Sequence, residues 1–188
     1  NDVVVAYPTA DATAIRDLCA EESRAKSVTL MIDSVEHLNL IDAVVPPAQR
    51  PAVRVALEVD VSYNLPGLRV GVFRSPLRSV TDVRAVAEAV VARRGFELVG
   101  MMAYEAQIAG VGDRASGSVV DRARTKAVQM FQARSKPEVV EIRSAAVASV
   151  REIADLEFVN GGGTGSIEST ALDDSVTELS LIHISEPT

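Results

Sequence analysis

The chain has 188 residues, of which 47% are apolar and 24% charged, so it can bury a sizeable core within one domain of ordinary size. Its net charge of −7 argues against a nucleic-acid-binding or anionic-membrane-binding surface, because either would need a basic patch. No apolar run approaches the ~18 residues of a membrane span, and no signal peptide is evident. The single cysteine, Cys19, cannot form an internal disulfide, and together these features predict a cytoplasmic protein.

Apolar, β-branched runs alternate with segments of helical periodicity along the chain. Strands are predicted over 3–6, 28–32, 53–60, 96–102 and 156–159, with a last short strand over 176–179. Helices are predicted over 12–22, from Ser34 to the Pro46-Pro47 pair, from Ser79 or Thr81 to Gly95, and over 119–153, where Pro137 divides a long region. Polar loops are predicted over 61–76 and 110–118, and the predicted helix N-caps are Thr9 or Asp11, Ser34, and Ser79 or Thr81.

Continuous apolar strands that alternate with amphipathic helices indicate a parallel sheet covered by helices. Both a (β/α)8 barrel and a doubly wound open sheet satisfy this pattern. A complete barrel takes about 250 residues, or roughly 31 per unit, so a chain of this length matches about six of the eight units. We therefore predict an α/β fold over residues 1–180, an incomplete (β/α)8 barrel of about six parallel strands with covering helices.

Polar side chains follow the carboxyl end of nearly every predicted strand. They are Tyr7, Asp33, Asp60, Tyr104 with Glu105, Asn160 and Glu178. In barrels and in open α/β sheets this end carries the active site, although any loop after a strand supplies polar residues. Paired carboxylates for acid–base work are conceivable among Asp33, Asp60 and Glu105, but sequence spacing does not bring them together.

The sequence Gly-Gly-Gly-Thr-Gly-Ser over 161–166 follows the fifth predicted strand. Glycine lets the backbone approach a ligand closely, and successive inward N–H groups form an anion-binding concavity. The segment lacks the Gly-Lys-Ser/Thr of a Walker A loop and the third glycine of the dinucleotide fingerprint. It predicts either a phosphate cradle at the end of a strand or a flexible turn.

The two histidines, His37 and His183, do not indicate a metal site or a catalytic triad. His37 lies on a predicted helix, and no second His, Cys or carboxylate cluster stands at ligand spacing nearby. We therefore predict that His37 faces solvent and assign no metal ligand and no catalytic residue within the chain.

Five segments resemble the amino-acid deaminase/aldolase family, which groups with D-threonine aldolase and D-serine dehydratase. The segments are DVVVAYPT (2–9), TLMIDSVEHL (29–38), LEVD (57–60), GMMAYEAQIAGVGD (100–113) and FVNGGGTGS (158–166). The resemblance runs from about Asp2 to Glu178. It implies an alanine-racemase-like barrel and a pyridoxal-phosphate-dependent lyase, deaminase or aldolase, with a D-amino or β-hydroxy amino acid as its small-molecule substrate.

The resemblance also implies a cofactor site. The phosphate of pyridoxal phosphate would be held by Gly161, Gly162, Gly163 and Thr164, through backbone N–H groups and a hydroxyl. Tyr104 would lie beside the cofactor ring, unless it is a half-buried core tyrosine. The implied rim residues are Asp33, Asp60, Asn160 and a loop arginine, for which Arg69 is the assigned candidate and Arg74 the second.

The chain departs from the family in one residue that the chemistry needs. The cofactor forms a Schiff base with a lysine near the first strand of the barrel. Lys26, Lys126 and Lys136 are the only lysines of the chain, and none is at the carboxyl end of a predicted strand. We therefore expect that lysine upstream in a parent protein, and expect the chain alone to be inactive and prone to aggregate.

Residues 181–188 (LIHISEPT) have no counterpart in the family and are expected to lie outside the fold as a foreign tail. The resemblance leaves room for a divalent-metal site and a homodimer in the parent protein. Two alternatives to an enzyme remain at this point: a barrel that binds pyridoxal phosphate as a non-catalytic carrier, and an unrelated phosphate-binding barrel module.

Overall fold

A computed structural model describes residues 3–65, 68–70, 73–105, 137–162 and 166–179 of the chain. Six strands form one sheet: β1 (Val3–Val5), β2 (Val28–Ile32), β3 (Val53–Glu58), β6 (Phe96–Ala103), β7 (Phe158–Gly161) and β8 (Glu178–Leu179). The strands β4 (Tyr63–Leu65) and β5 (Leu68–Val70) form an antiparallel hairpin. The helices are α1 (Ala12–Cys19), α2 (Glu22–Ser27), α3 (Val35–Val44), α4 (Val80–Val91), α5 over 137–151 and a short helix, Ile167–Thr170.

The sheet has the strand order β1-β2-β3-β6-β7-β8, and every neighbouring pair is parallel. This order follows the chain without reversal, whereas a doubly wound sheet needs a point where the strand order reverses. The open-sheet alternative is therefore excluded. The sheet curls into part of a (β/α) barrel, as the sequence predicted.

Most of the core lies between the sheet and its helices. On α4, Val83, Val86, Ala87 and Val90 recur at helical spacing and are buried against the sheet. A smaller apolar cluster lies on the opposite, concave face of the sheet and consists of Met31, Ala56, Val99, Met102 and Phe158. The two faces are thus distinguished by the residues that cover them, and the concave face is the interior of the partial barrel.

The amino end of the sheet is held by a charged cluster. Arg50 and Arg93 lie 2.6 and 2.7 Å from the carboxylate oxygens of Asp42, and both guanidinium groups stack over the Phe96 ring. Because the amino end of barrel strands is the stability face rather than the active-site face, we interpret this cluster as structural.

The observed elements differ from the predicted ones in several places, among them the fifth strand, which runs from Phe158 to Gly161 instead of over 156–159. The helix predicted over 12–22 ends at Cys19, and a second helix, α2, begins at Glu22 and leads directly into β2. The third strand ends at Glu58 instead of residue 60, and the β4–β5 hairpin lies in the segment predicted to be a loop.

Helix capping agrees with the sequence at two of three sites. Asp11 accepts from Thr13 N and Ala14 N, and Ser79 accepts from Asp82 N. Ser34 occupies the N-cap position of α3 but makes no side-chain capping hydrogen bond. The predicted loop over 110–118, residues 119–136 and the 181–188 tail lie outside the described residues. No helix of the described part is long and apolar enough to cross a membrane.

Candidate active-site rim

The concave face of the sheet ends in polar residues at the carboxyl ends of its strands. Because strand side chains alternate between faces, residues two positions apart share a face. Asp33 therefore shares the concave face with Met31, Glu58 and Asp60 with Ala56, Tyr104 with Met102, and Asn160 with Phe158. This set of residues is called the rim below, and it includes four of the residues predicted to line the site: Asp33, Asp60, Tyr104 and Asn160.

A register irregularity in β6 decides on which face Tyr104 lies. Val55 pairs with Leu98 but Ala56 pairs with Gly100, so β6 carries one extra residue there. Val99 and Met102 both belong to the concave cluster, although simple alternation would put them on opposite faces. The bulge therefore turns Tyr104 toward the concave side instead of toward the helices.

Glu58 and Arg74 form a buried ion pair at the end of β3. Arg74 Nε lies 2.6 Å from Glu58 Oε1, and the Glu58 side chain is 2% exposed. Glu58 Oε2 has no hydrogen-bond partner among the described residues. Burial raises the pKa of Glu58 to about 7, although Arg74 lowers it, and the charges of Asp33 and Asp60 raise it further.

Arg74 also contacts the ends of two other strands. Its Nη2 donates to the Ala6 carbonyl oxygen at 2.8 Å, just past β1. Its guanidinium carbon lies 4.3 Å from the Tyr7 ring centroid and 5.6 Å from that of Tyr104. These are cation–π distances. Arg74 thus links β1, β3 and β6 at the rim.

Asp33 and His37 are paired at the end of β2. His37 Nδ1 lies 3.1 Å from Asp33 Oδ1 and 3.3 Å from Ser34 Oγ. The imidazole is 26% exposed. The prediction that His37 faces solvent is therefore wrong: it is half-buried against the rim, because α3 begins immediately after Asp33 and turns this position back toward the strand end.

Asp60 stabilises the turn that follows β3. Its Oδ1 accepts from Ser62 N at 2.7 Å, and the Arg78 guanidinium lies 3.9 Å away. Asp60 is buried, and its charge acts on Glu58. It therefore belongs to the electrostatic surroundings of the rim.

The glycine segment begins as the last residue of β7 and then turns sharply. Gly161 pairs with Ala103 and Leu179, while Gly162 has φ +80°, a conformation that L side chains rarely adopt. The Gly162 N–H donates to Glu105 Oε2 at 2.8 Å. The Gly162 amide therefore already has a hydrogen-bond acceptor within the protein.

Glu105 belongs to a buried network that holds the glycine turn. Its Oε2 lies 3.1 Å from Arg143 Nη1, and its Oε1 accepts from the Thr170 hydroxyl. Arg143, on α5, donates through Nε and Nη2 to Asp173 Oδ2 at 2.9 and 2.7 Å. Burial would raise the pKa of Asp173, but hydrogen bonds from Ser175 and Arg143 hold it below its ordinary value.

These residues fit pyridoxal phosphate on the side of its ring. Tyr104 is half-buried on the concave face beside the glycine turn, since Ala103 and Gly161 are register partners. On the phosphate side, the Gly162 N–H already donates to Glu105 Oε2, so this amide does not itself bind a phosphate here. Gly163 and Thr164 lie outside the described residues, and of Arg69 only the backbone, in β5, is described.

Sequence reasoning missed Glu58 and Arg143. Arg143 carried a readable signal, because it stands four residues from both Val139 and Val147 and so falls on the apolar stripe of its helix. Glu58 lies inside an apolar strand, and only the curl of the sheet shows that its side of β3 is the concave one. No group of three or more His, Cys, Asp or Glu residues able to hold a metal occurs in the described part.

No protein-family model and no curated protein matches the sequence. Solved structures do. D-threonine aldolase from Filomicrobium marinum matches with a TM-score of 0.64 at 17% identity, over 96% of this chain and 42% of that one. D-threo-3-hydroxyaspartate dehydratase from Delftia sp. HT23 matches with a TM-score of 0.62 at 16% identity, over 94% of this chain and 40% of that one. Histidine racemase from Leuconostoc mesenteroides subsp. sake matches with a TM-score of 0.53 at 13% identity, over 96% of this chain and 38% of that one.

At these identities the likeness establishes the fold, and at that level it confirms the resemblance stated from the sequence. The chain spans about 40% of the length of the structures it matches, while nearly all of the chain is covered.

Proposed function

We propose that the chain is part of a pyridoxal-phosphate-dependent enzyme that acts on D-amino or β-hydroxy amino acids as a lyase, deaminase or aldolase. The observation that carries the proposal is Tyr104, which a bulge turns onto the concave face next to the glycine turn at Gly162. The fold that the chain shares with a D-threonine aldolase and a D-threo-3-hydroxyaspartate dehydratase supports the proposed substrate class.

Each rim residue has a role in this proposal. When bound, pyridoxal phosphate supplies an electron sink for the substrate carbon. Tyr104 packs beside the ring, and Arg74 keeps the Tyr104 side chain in place by stacking on it. Glu105 fixes the Gly162 amide and so sets the direction in which the chain leaves β7. Gly163 and Thr164 bind the phosphate, with Asp33, Asp60, Asn160 and Arg69 around the site.

The lysine for covalent attachment has to come from elsewhere in the protein. In the described part, Lys26 lies on α2, at the amino end of β2, and its ammonium pairs with Glu22 at 2.7 Å. That is the opposite end of the sheet from the rim. A barrel that binds the cofactor without turning over substrate is the second candidate function.

The test is turnover by the full-length protein that carries this chain. Supplied with pyridoxal phosphate, it should release acetaldehyde from D-threonine or pyruvate from D-serine, and the L-enantiomers serve as matched controls. Release from the D-enantiomers alone supports the enzyme. Cofactor binding without any turnover supports the carrier, and the absence of both contradicts the proposed function.

A further inference from the structure

We propose that Glu58 is a positioning residue of the rim: it holds the Arg74 guanidinium against Tyr7 and Tyr104, and the strength of this hold depends on whether its carboxyl group is ionised. The link to cofactor binding rests on the proposed function, because it runs through Tyr104. The positioning itself rests only on the contacts of the described residues.

The loop that carries Arg74 is attached to Glu58 twice. Arg74 Nε lies 2.6 Å from Glu58 Oε1, and the hydroxyl of the adjacent Ser75 donates to the Glu58 carbonyl oxygen at 2.6 Å. The same hydroxyl accepts from Leu77 N at 3.0 Å. Both the backbone next to Arg74 and its side chain are therefore fixed to the end of β3.

From this anchor the guanidinium reaches the two tyrosines. Tyr7, after β1, is 64% exposed, yet its ring centroid is 4.3 Å from the guanidinium carbon. Tyr104, after β6, lies 5.6 Å from it and is half-buried. An exposed tyrosine is held in one orientation only if its partner is fixed, and Glu58 is the charged group that fixes Arg74.

The surroundings of Glu58 make its ionisation responsive near neutral pH. Asp33 at the end of β2 and Asp60 beyond β3 oppose its negative charge, and Arg74 favours it. Burial also disfavours the ionised carboxylate, and Glu58 Oε2 has no hydrogen-bond donor among the described residues. Among the described residues, the other ionisable groups near these carboxylates are His37, beside Asp33, and Arg78, 3.9 Å from Asp60.

The neutral carboxyl group would lose the ion pair with Arg74 Nε. Because the Coulomb attraction between the two groups disappears when the carboxyl group is neutral, protonation loosens the guanidinium. Tyr7 and Tyr104 should then sense the same titration, although they follow different strands.

Ring carbon resonances of the tyrosines test this by nuclear magnetic resonance without any cofactor. Tyr7 and Tyr104 are assigned through Tyr7→Phe and Tyr104→Phe, and both rings should shift between pH 5 and 9 with one shared midpoint, about 7. Glu58→Gln should abolish the shift. Asp33→Asn leaves Glu58 in place and should lower the midpoint, which keeps the test decisive if Glu58→Gln does not fold.

His37→Gln is the matched control, because the imidazole lies beside Asp33, whose charge acts on Glu58. The midpoint should survive this substitution. A shift that disappears in His37→Gln, persists in Glu58→Gln or differs in midpoint between the two rings overturns the inference.

Cofactor titration separates this inference from the proposed function. At pH 8, Glu58→Gln should bind pyridoxal phosphate about tenfold more weakly than the unchanged protein, the loss of roughly one stacking interaction. If the ring shifts occur but pyridoxal phosphate does not bind, the proposed function fails and the positioning stands. If the cofactor binds with equal affinity to both proteins and no shared ring titration is found, the positioning fails and the proposed function stands.

Discussion

A side chain at Gly161 would meet the guanidinium of Arg143. A Cβ atom built there lies 2.9 Å from Arg143 Nη1 and 3.2 Å from Val176 Cγ2. Arg143 cannot move aside easily, since the same Nη1 contacts Glu105 and the Ala103 carbonyl. The neighbouring Gly162 is needed for another reason, its positive φ. Two adjacent glycines thus serve packing and backbone conformation respectively.

We predict that Gly161→Ala lowers the free energy of unfolding by about 1–3 kcal/mol through overpacking. Gly162→Ala should cost about 1–2 kcal/mol through backbone strain, and Gly162→Asn should recover part of that loss, because asparagine tolerates the left-handed region. Urea denaturation measures all three. Recovery in a Gly161→Asn protein would contradict the assignment of crowding to Gly161.

Glu58 should make stability fall as pH rises. Its pKa in the folded protein is raised to about 7 from the ordinary 4.5, so between these values the folded state binds more protons than the unfolded state. The contribution of Glu58 is therefore fully present below pH 4.5 and is lost as pH rises through 7. Denaturation of the unchanged protein and Glu58→Gln from pH 4.5 to 8 should give a Glu58-dependent downward slope. Parallel curves would contradict it.

The sequence predicted the rim but not how its residues meet. Asp33, Asp60, Tyr104 and Asn160 were identified because each follows an apolar strand, and parallel strands bring their carboxyl ends to one edge. Gly100 lies beside the β6 bulge, and an isolated glycine within a strand is typical of one, but the glycine alone does not show which face Tyr104 takes. The Glu58–Arg74 pair joins the last residue of β3 to a residue of the loop before α4, and their spacing in sequence does not indicate contact.

At the scale of elements, α5 is attached to the sheet by a charge as well as by its apolar stripe. Arg143 is 1% exposed and bridges Glu105, after β6, and Asp173, after the short helix Ile167–Thr170. Removing one partner from such a network leaves uncompensated buried charge. The network therefore fixes α5, the ends of β6 and β7 and the glycine turn in one arrangement.

We predict that Arg143→Ala lowers the free energy of unfolding by about 3–5 kcal/mol, because Glu105 and Asp173 both lose their buried cation. Arg151→Ala, on the exposed side of the same helix, is the matched control and should change stability by less than about 0.5 kcal/mol. Thermal and urea denaturation measure both. Equal effects of the two substitutions would show that the network does not hold the helix.

Element boundaries show where local signals suffice. Asp11 and Ser79 cap their helices as predicted, since an N-cap acts within three residues. Helix α2 was not predicted, because its six residues are too few to show a helical periodicity, although α2 packs against β2 and β3. The β4–β5 hairpin was missed because its flanking residues carry the turn chemistry of a loop.

At the scale of the whole molecule, the curled sheet has two edges within the described residues. β1 lies at one edge and β8 at the other, and neither has a second strand partner there. Val3, on β1, is 53% exposed. Exposed edge strands present unpaired backbone groups that pair with other chains, and a closed barrel removes such edges.

We predict that the 188-residue chain, produced alone, self-associates through its edge strands. Val3→Lys should reduce the association, because a lysine on an edge opposes strand pairing. Val91→Lys is the matched control: Val91 is 51% exposed but lies on α4, away from both edges. Light scattering against concentration measures the effect, and equal suppression by both substitutions would assign the association to general hydrophobicity.

The central claim is that the carboxyl-end rim binds pyridoxal phosphate, and equilibrium dialysis of the cofactor against the full-length protein and three variants tests it most directly. Tyr104→Ala removes the residue beside the ring, Gly163→Val excludes the phosphate by bulk, and Glu97→Gln changes an exposed residue at the amino end of β6. We predict that the first two weaken binding about tenfold or more and that Glu97→Gln leaves it unchanged. Unchanged binding in both rim variants would contradict the claim.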